Sequence, residues 1–554
     1  MPVEPSPNIA AALFAMAEER PHALAVVYPQ GRDRDGRVSY THLTFRQLDH
    51  ESDAIAAGLE SVGIVRGVRT VLMVKPSLDF FALTFALFKA GAVPVLIDPG
   101  MGIKNVGRCL AEAEPTAFIG IPKAQTARLI LGWARKSLKT IVTVGRRGPW
   151  SGFDLDEIRR SGRLRLPYNP PQVAADETGA ILFTSGSTGP PKGAVYTHGI
   201  FSHQVKMLRE LYGIEAGEID LATFPLFALF APALGMTAII PDMDATRPAQ
   251  VDPSKIFEAI EDFGVTNLFG SPALLDRVGH AGVASGVTLP TLRRVLSAGA
   301  PVRAHVIERF QSLLAHNVQV FTPYGATEAL PVSSIGSLEI LGETRVLTAA
   351  GAGVCLGEVV SPNQVEIIAI ADGPIAEWAD SLRLPSGEIG EIVVKGPIVT
   401  SSYFQKAEAT ALAKITDPDR SIRHRMGDLG YFDPQGRLWF CGRKTQRVQT
   451  AAGLLFTIPC ESIFNEHPAV ARTALVGVGP SKSSRPVICV ELKAKHASTD
   501  LDRVRRELFE LGAAHPLTKS IRDILFHPSF PVDIRHNAKI FREKLAVWAA
   551  RRLR

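Results

Sequence analysis

The chain has 554 residues, of which 46% are apolar and 21% are charged, and it carries a net charge of +6. This composition excludes an intrinsically disordered or collagen-like chain, and the length predicts about three or four structural units. From Cys441 onward there are 20 Lys and Arg residues against 10 Asp and Glu residues, so the positive surplus lies wholly in the last fifth of the chain.

The cellular compartment is predicted from the spacing of the cysteines and from the N-terminal residues. The N-terminus has Glu4 and prolines where a secretory signal would have positive charge, so no secretory signal is expected. No pair of cysteines has C-x-x-C spacing, which favours a reducing, cytoplasmic location and argues against a zinc site. The five are Cys109, Cys355, Cys441, Cys460 and Cys489.

Two stretches predict α/β architecture. Between Gly67 and Gly145, short β-branched runs alternate with helical segments, with Ser77 as a helix N-cap and Gly91 as a helix stop. The same alternation returns from Asp220 to Pro323, with helices expected near 254–263 and 302–315. We therefore predict two doubly wound α/β subdomains with parallel sheets.

Between these stretches, an apolar strand runs into a loop rich in hydroxyls and glycines. Such a loop offers backbone N–H groups, hydroxyls and one cation to a polyanion. A Walker loop is excluded, because Pro190 and Pro191 remove two donors and residues 194–196 are predicted to form a strand rather than a helix. The sequence predicts either a nucleotide-binding loop of another architecture or a glycine-rich turn between strands.

The stretch from Leu221 to Pro241 has 21 residues without a charge, about the length of a membrane span. Because it contains three prolines, we predict a strand, a phenylalanine-rich loop and another strand instead. It is interpreted as buried core or as the wall of an apolar pocket.

The last third of the chain changes character. After Ala350 the strands are shorter and broken by glycines, which predicts a β-rich subdomain with a turn at 433–436. From about Lys444 the pattern predicts a compact α+β domain with a helix near 500–510. Its positive surplus suits an anionic ligand or nucleic acid, but it lacks the interleaved aromatics of a nucleic-acid module, so no nucleic-acid partner is expected.

Four ordered motifs resemble those of the acyl-adenylate-forming superfamily, over nearly the whole chain: TSGSTGPPKG at 184–193, SAGAP at 297–301, YGATE at 324–328 and RMGDLGYFDPQGRLWFCGR at 425–443. The resemblance implies an ATP- and Mg²⁺-dependent ligase. It also implies an AMP-binding body over 1–442, hinged to a small mobile domain over 443–554.

The resemblance implies roles residue by residue. Tyr324 would stack on adenine, Asp428 would bond the ribose, and Arg443 would bond the ribose and phosphate. Thr327 would bond the α-phosphate, and Glu328 would hold Mg²⁺. The cofactor-binding residues that it implies are Thr184, Ser185, Gly186, Ser187, Thr188, Gly189, Lys192, Ala298, Gly299, Ala300, Pro301, Tyr324, Gly325, Ala326, Asp428 and Arg443.

Near the C-terminus, PVDIRHNAKIFREKL resembles the segment in which the family places its catalytic lysine. The matching residue is Lys539, although Ala538 stands where the family usually has glycine. The resemblance implies that Lys539, with Thr327 and Glu328, forms the catalytic set.

The sequence departs from the CoA-using members of the family at three places. Ala228 follows Phe227 where the family often has histidine, Thr445 stands where the hinge usually has Asp or Lys, and Gly453 comes about one residue late.

FPLFALFAPALG and RHNAKIFRE resemble the β-lactone synthetases of bacterial long-chain olefin biosynthesis. That resemblance implies a long-chain 2-alkyl-3-hydroxy fatty acid as substrate and a cis-β-lactone as product. The alternatives are a fatty acyl-CoA ligase and a non-enzymatic nucleotide- or nucleic-acid-binding protein.

A substrate with two long alkyl chains predicts a wide, apolar pocket rich in phenylalanine. Other enzymes of the same pathway are candidate partners, and the basic C-terminus is compatible with peripheral membrane contact, without a transmembrane segment. No histidine is assigned as a base for the 3-hydroxyl. The predicted pocket residues are His198, Phe224, Phe227, Ala228 and Phe230.

Overall fold

The structure is a computed structural model that describes residues 6–184, 190–493, 500–532 and 540–553. It begins with helix α1 (Ala10–Glu19), a hairpin of β1 (Leu24–Arg32) and β2 (Val38–Thr44), and helix α2 (Phe45–Ser61). The Thr44 hydroxyl accepts from the backbone N–H of Gln47, whose side chain accepts from the Thr44 N–H. This capping box fixes where α2 begins.

The first α/β subdomain is confirmed. Its strands are β3 (Arg69–Met73), β4 (Val93–Ile97), β5 (Ala117–Gly120), β6 (Thr140–Thr143), β7 (Phe153–Asp154), β8 (Thr178–Thr184) and β9 (Lys192–Thr197). Its helices are α3 (Leu78–Lys89), α4 (Ile103–Ala113), α5 (Pro122–Leu131), α6 (Leu155–Arg163) and α7 (His198–Tyr212). The strand order is β7-β6-β5-β3-β4-β8-β9, and every pair is parallel except the β8–β9 hairpin. The end of β8 at Thr184 therefore lies at the carboxyl edge of the parallel strands.

The second α/β subdomain is also confirmed, with one correction. Its strands are β10 (Ile219–Ala222), β11 (Thr237–Ile239), β12 (Asn267–Phe269), β13 (Arg294–Leu296), β14 (Gln319–Ala326) and β15 (Ala329–Gly336). Its helices are α8 (Pro225–Ala228), α9 (Phe230–Ala233), α10 (Pro253–Phe263), α11 (Pro272–Ser285) and α12 (Ala304–Gln311). The phenylalanine-rich segment forms the two short helices α8 and α9, not a loop, and Pro225 occupies the first position of α8, where its missing N–H removes no helical bond.

The β-rich subdomain is present, but it is not a separate sheet. Its helices are α13 (Ser337–Glu339), α14 (Arg345–Ala349) and α15 (Ala407–Ala413), and its strands are β16 (Val354–Val359), β17 (Gln364–Ile368), β18 (Gly390–Lys395), β19 (Lys414–Thr416), β20 (Ile422–Phe432) and β21 (Leu438–Arg443). Pairing of β15 with β16 joins it to the second subdomain in the order β17-β18-β20-β21-β16-β15-β14-β13-β12-β10-β11-β1-β2, with β19 beside β20. The predicted turn at 433–436 joins β20 to β21.

The C-terminal part has the predicted α+β composition. It contains β22 (Val448–Thr450), β23 (Gly453–Leu455), α16 (Thr457–Asn465), β24 (Val470–Val478), β25 (Arg485–Leu492), α17 (Leu501–Ala514), β26 (Asp523–Phe526) and α18 (Arg542–Arg552). Apolar clusters around Phe464 and Leu545 give it a core of its own. A domain boundary at 443 remains a prediction, which the end of β21 at Arg443 supports. No helix in the described ranges is long and apolar enough to cross a membrane.

Candidate active site

Strand pairing places Lys192, Gly193 and Val195, at and just after the end of the predicted phosphate loop, beside residues 402–404. The Val195 N–H donates to the Ser402 carbonyl at 3.1 Å, and the Phe404 N–H donates to the Gly193 carbonyl at 2.8 Å. The ammonium group of Lys192 lies 4.9 Å from the centre of the Tyr403 ring. The predicted loop residues Ser185, Gly186, Ser187, Thr188 and Gly189, and the side chain of Thr184, lie outside the described residues.

The two central motifs lie at one edge of the second sheet. Strands β13 and β14 are parallel neighbours, so the segments that follow them, 297–301 and 324–328, come together. Gly299 has a φ of +92°, in the region that glycine adopts without strain. Thus Ala298, Gly299, Ala300 and Pro301 follow the strand that neighbours β14, which ends in Tyr324, Gly325 and Ala326, and the Ser297 N–H donates to the Phe321 carbonyl at 2.9 Å.

The three residues implied for adenine and ribose contact one another. The Tyr324 hydroxyl donates to Asp428 Oδ2 at 2.7 Å, and Arg443 Nη1 lies 3.0 Å from Asp428 Oδ1. Asp428 is 3% exposed, and burial raises the pKa of its carboxyl group while Arg443 opposes that shift. Strands β20 and β21 pair these two residues in register. The sheet therefore holds a buried carboxylate between a phenol and a guanidinium.

Glu328 and Thr327 are held by tyrosines from other strands. The Tyr403 hydroxyl donates to Glu328 Oε1 at 2.6 Å, and the Tyr196 hydroxyl donates to the Thr327 carbonyl at 2.5 Å. Glu328 is 9% exposed, and its carbonyl accepts from the Thr400 N–H at 2.9 Å. These bonds fix the turn that presents both catalytic candidates.

Carboxylate oxygens are the ligands that Mg²⁺ prefers, and Mg²⁺ is commonly held by one or two carboxylates together with substrate phosphates. Within the described ranges no group of three His, Cys, Asp or Glu residues forms a metal site. Glu328, with Oε1 bonded to Tyr403, fits a site in which the ATP phosphates supply the remaining oxygens.

Sequence reasoning missed Tyr403 and Lys414. Lys414 is 6% exposed and its Nζ donates to the Thr400 hydroxyl at 3.0 Å and to the Thr400 carbonyl. Burial lowers the pKa of Lys414 to about 7. Neither residue belongs to one of the four motifs, so only the three-dimensional pairing shows that both lie near Glu328.

Replacing Tyr403 by phenylalanine should slow adenylation about tenfold, because a buried carboxylate loses a hydrogen bond worth about 1.5 kcal/mol. The rate of pyrophosphate exchange into ATP should be measured at several Mg²⁺ concentrations. The Mg²⁺ concentration that gives half the maximal rate should be higher than in the wild type. Tyr431→Phe is the matched control, since its hydroxyl donates to the Ala352 carbonyl at 3.0 Å, away from this site. Equal exchange rates in Tyr403→Phe and the wild type would contradict the role.

An apolar cavity opens under this edge of the sheet. Of the predicted pocket residues, Phe227 and Phe230 line it, Phe224 packs on Phe227 with ring centres 5.4 Å apart, and Ala228 is buried nearby. The lining also includes Gln204, Leu208, Tyr212, Asp220, Leu234, Met236, Asn267, Phe269, Leu296, Ala298, Pro323 and Leu330. The cavity measures about 60 Å³, far less than the 300–1,000 Å³ typical of ligand pockets. The expectation of a wide pocket stays a prediction.

His198 does not line this cavity. It is fully buried, and its ring lies 6.4 Å from that of Phe88. Thr197, just before it, pairs with Thr178 at the start of β8, about 20 Å of strand from the phosphate loop. Neither ring nitrogen has a hydrogen-bond partner in the described part of the chain, and burial lowers the pKa of the imidazole.

The floor of the cavity carries a buried acid. Asp220 is 5% exposed, accepts a hydrogen bond from Asn267, and has a pKa raised to about 7 by burial. An unfolded aspartate ionises near pH 3.9, so the folded state loses stability as the pH rises from about 4 to about 7.

Asp220→Asn should therefore raise Tm relative to the wild type, and the difference should be larger at pH 8 than at pH 5. Thermal unfolding at both pH values measures this. The exposed Asp35 provides the control Asp35→Asn, which should show no such pH dependence. A Tm difference independent of pH would show that Asp220 titrates normally.

Lys539 lies outside the described residues, but its flanks are ordered against the C-terminal sheet. Val532 and Ile540 form an antiparallel bridge, and the Phe541 N–H donates to the Pro531 carbonyl at 2.9 Å. Arg542 binds the buried Glu461 at 2.6 Å. The two ends of the segment that carries Lys539 are thus anchored together.

The fold and this constellation define an adenylate-forming enzyme, and the comparisons agree. The model of the AMP-binding enzyme family matches residues 13–404, so the chain belongs to that family and is an ATP-dependent adenylate-forming enzyme. It is 53% identical to Olefin beta-lactone synthetase of Xanthomonas campestris over 98% of this chain and 97% of that protein. It is also 53% identical to Olefin beta-lactone synthetase of Stenotrophomonas maltophilia, over 99% and 98% of the two chains. Its fold matches the amide bond synthetase McbA of Marinactinospora thermotolerans with a TM-score of 0.77 at 22% identity, covering 98% and 99% of the chains.

Proposed function

We propose that the enzyme adenylates a long-chain 2-alkyl-3-hydroxy fatty acid and then closes it to a cis-β-lactone, releasing AMP and pyrophosphate. The observation that carries this proposal is that the segment holding Tyr324, which bonds Asp428, is flanked by Pro323 and Leu330, and both of these line a cavity that contains Phe227 and Phe230. The identity of 53% with two olefin β-lactone synthetases supports the choice of product. The names of the same relatives support a place in olefin biosynthesis, and we infer that other enzymes of that pathway are its partners.

In the first step, a carboxylate oxygen of the fatty acid attacks the α-phosphorus of ATP. The bond from that phosphorus to the bridging oxygen breaks, and pyrophosphate leaves with the electron pair. Asp428 would hold the ribose, and Lys192 and Lys539 would bind negative charge on the phosphates. Such chemistry depends mostly on positioning and charge stabilisation, which these groups would provide. Mg²⁺ held by Glu328 would supply further charge neutralisation.

In the second step, the oxygen of the 3-hydroxyl attacks the activated carbonyl carbon of the same molecule. The bond from that carbon to the phosphate oxygen breaks, AMP leaves with the electron pair, and the hydroxyl proton passes to solvent. A nucleophile within the substrate makes this step unimolecular, and proximity replaces a second bound reactant. Cleavage of the mixed anhydride drives formation of the strained four-membered ring.

The alternative is a fatty acyl-CoA ligase, and CoA dependence separates the two. Ala228, Thr445 and Gly453 depart from the CoA-using pattern, which favours lactone formation. The purified enzyme should be incubated with the hydroxy acid, ATP and Mg²⁺, with and without CoA. We expect lactone and AMP without CoA, and no effect of adding it. Strict dependence of AMP release on CoA, with a thioester product, would establish the ligase instead.

A further inference from the structure

The apolar cavity has a buried polar acceptor on helix α7. Gln204 is 4% exposed, and its Nε2 donates to the Leu330 carbonyl at 2.8 Å. Since a carbonyl can only accept, this bond fixes the orientation of the side-chain amide and directs its oxygen elsewhere. That oxygen, Oε1, is buried and has no hydrogen-bond partner within the described residues. An acceptor so placed favours a ligand that brings a donor.

Gln204 lies at the end of the cavity where the carboxyl group would be activated. Its amide is beside the Tyr196 hydroxyl, which donates to the Thr327 carbonyl at 2.5 Å. Leu330, which holds the amide, is three residues beyond Thr327 in the chain. The free oxygen of Gln204 is therefore close to the turn that presents Thr327 and Glu328.

The other polar pair of the cavity lies much deeper. Asp220 and Asn267 are in register across the sheet with Gln319, at the beginning of β14. Gln319 begins β14 and Thr327 follows its last residue, so the whole length of β14 separates this register from Thr327. The Asn267 amide donates to Asp220, so this pair already has an internal bond. A fatty acid with its carboxyl group near Thr327 would therefore bring its alkyl chain, and not its 3-hydroxyl, towards Asp220.

We propose that Gln204 Oε1 accepts a hydrogen bond from the 3-hydroxyl of the substrate. The bond turns the hydroxyl hydrogen away from the reacting centre and a lone pair of the hydroxyl oxygen towards the activated carbonyl carbon. It makes Gln204 a positioning residue for ring closure and a determinant of specificity for 3-hydroxy acids over acids without that group. This inference rests on the proposed function, since it assigns a residue to its second step.

The test compares the full-length wild type with Gln204→Met, which keeps the length of the side chain but removes the amide. Each enzyme receives a 2-alkyl-3-hydroxy acid and the 2-alkyl acid of equal length without the hydroxyl. Pyrophosphate exchange measures adenylation of each acid, and the lactone formed per AMP measures ring closure. Lys206→Met is the control, because Lys206 is 71% exposed on the same helix.

We expect Gln204→Met to lower the lactone formed per AMP about tenfold, with free acid as the other product. The rates of pyrophosphate exchange with the two acids should become nearly equal. Lys206→Met should match the wild type. If Gln204→Met does not fold, Gln204→Asn, which withdraws the acceptor by one methylene, should show the same change in product ratio. Wild-type product ratios and wild-type discrimination in a folded Gln204 variant would overturn the inference. Absence of lactone from the wild type would overturn the proposed function instead.

Discussion

Replacing Lys539 by alanine should abolish adenylation while leaving the fold intact. Removal of one well-placed donor to a developing charge costs about 2.7 to 4 kcal/mol, or about a hundredfold to a thousandfold in rate. The segment that carries Lys539 is anchored at both ends, by the bridge between Val532 and Ile540 and by the pair of Arg542 with Glu461. Loss of the ammonium group should therefore remove charge without releasing the segment. Pyrophosphate exchange measures the rate, and thermal unfolding checks the fold.

Lys544→Ala is the matched control for this variant. Lys544 lies five residues further along, and its ammonium group is 4.5 Å from the centre of the Phe541 ring. We expect exchange in this control to equal that of the wild type. Unchanged exchange in Lys539→Ala would show that another cation neutralises the α-phosphate, and Lys192 would then be the first to examine.

Asp428→Asn should raise the KM for ATP and reduce exchange about a hundredfold. The carboxylate accepts from Tyr324 and pairs with Arg443, and removing one partner of a buried, hydrogen-bonded charge pair costs about 2 to 5 kcal/mol. The asparagine has the same size, but it leaves the guanidinium without its counter-charge. Initial rates of exchange at several ATP concentrations measure both effects.

The control for Asp428 is Asp419→Asn, on the surface of the same subdomain. Asp419 is 60% exposed and pairs with Lys395 at 2.8 Å. This variant should keep the wild-type KM. A wild-type KM for ATP in Asp428→Asn would place the ribose elsewhere.

Local patterns predicted the elements well, because helix caps and β-branched runs act over a few residues. Ser77 caps α3 by accepting from the Phe80 N–H, as expected, and the helices near 254–263 and 302–315 are present as α10 and α12. The secondary structure of residues 223–236 is harder to predict, because one-turn helices such as α8 and α9 are too short to show a periodicity of 3.6 residues.

Contacts between distant strands were not predictable from one sequence. Tyr403 reaches Glu328 only because residues 402–404 pair with β9, more than two hundred residues earlier in the chain. The N-terminal hairpin joins the second sheet by pairing β1 with β11, again without a local signal. Nothing in a linear pattern specifies such partners, so Tyr403, Lys414 and Gln204 received no role from the sequence.

The position of His198 also depends on strand pairing. His198 is five residues beyond the end of the predicted phosphate loop, but β9 is an extended strand that leads the chain away from Lys192. The histidine therefore lies in the core beneath the first sheet's opposite end. By contrast, Asp428 and Arg443 are fifteen residues apart and still meet, because a hairpin pairs them in register.

The central claim is that the carboxyl group is adenylated and is then attacked by the substrate's own 3-hydroxyl. The most direct test uses the 2-alkyl-3-hydroxy acid with both carboxyl oxygens replaced by ¹⁸O, incubated with enzyme, ATP and Mg²⁺ without CoA. Mass spectrometry of the products should find one ¹⁸O in AMP and one in the carbonyl of the β-lactone, whose ring oxygen comes from the unlabelled hydroxyl. A lactone that retains both ¹⁸O atoms, with unlabelled AMP, would contradict the account, because the hydroxyl rather than the carboxyl group would then have been activated.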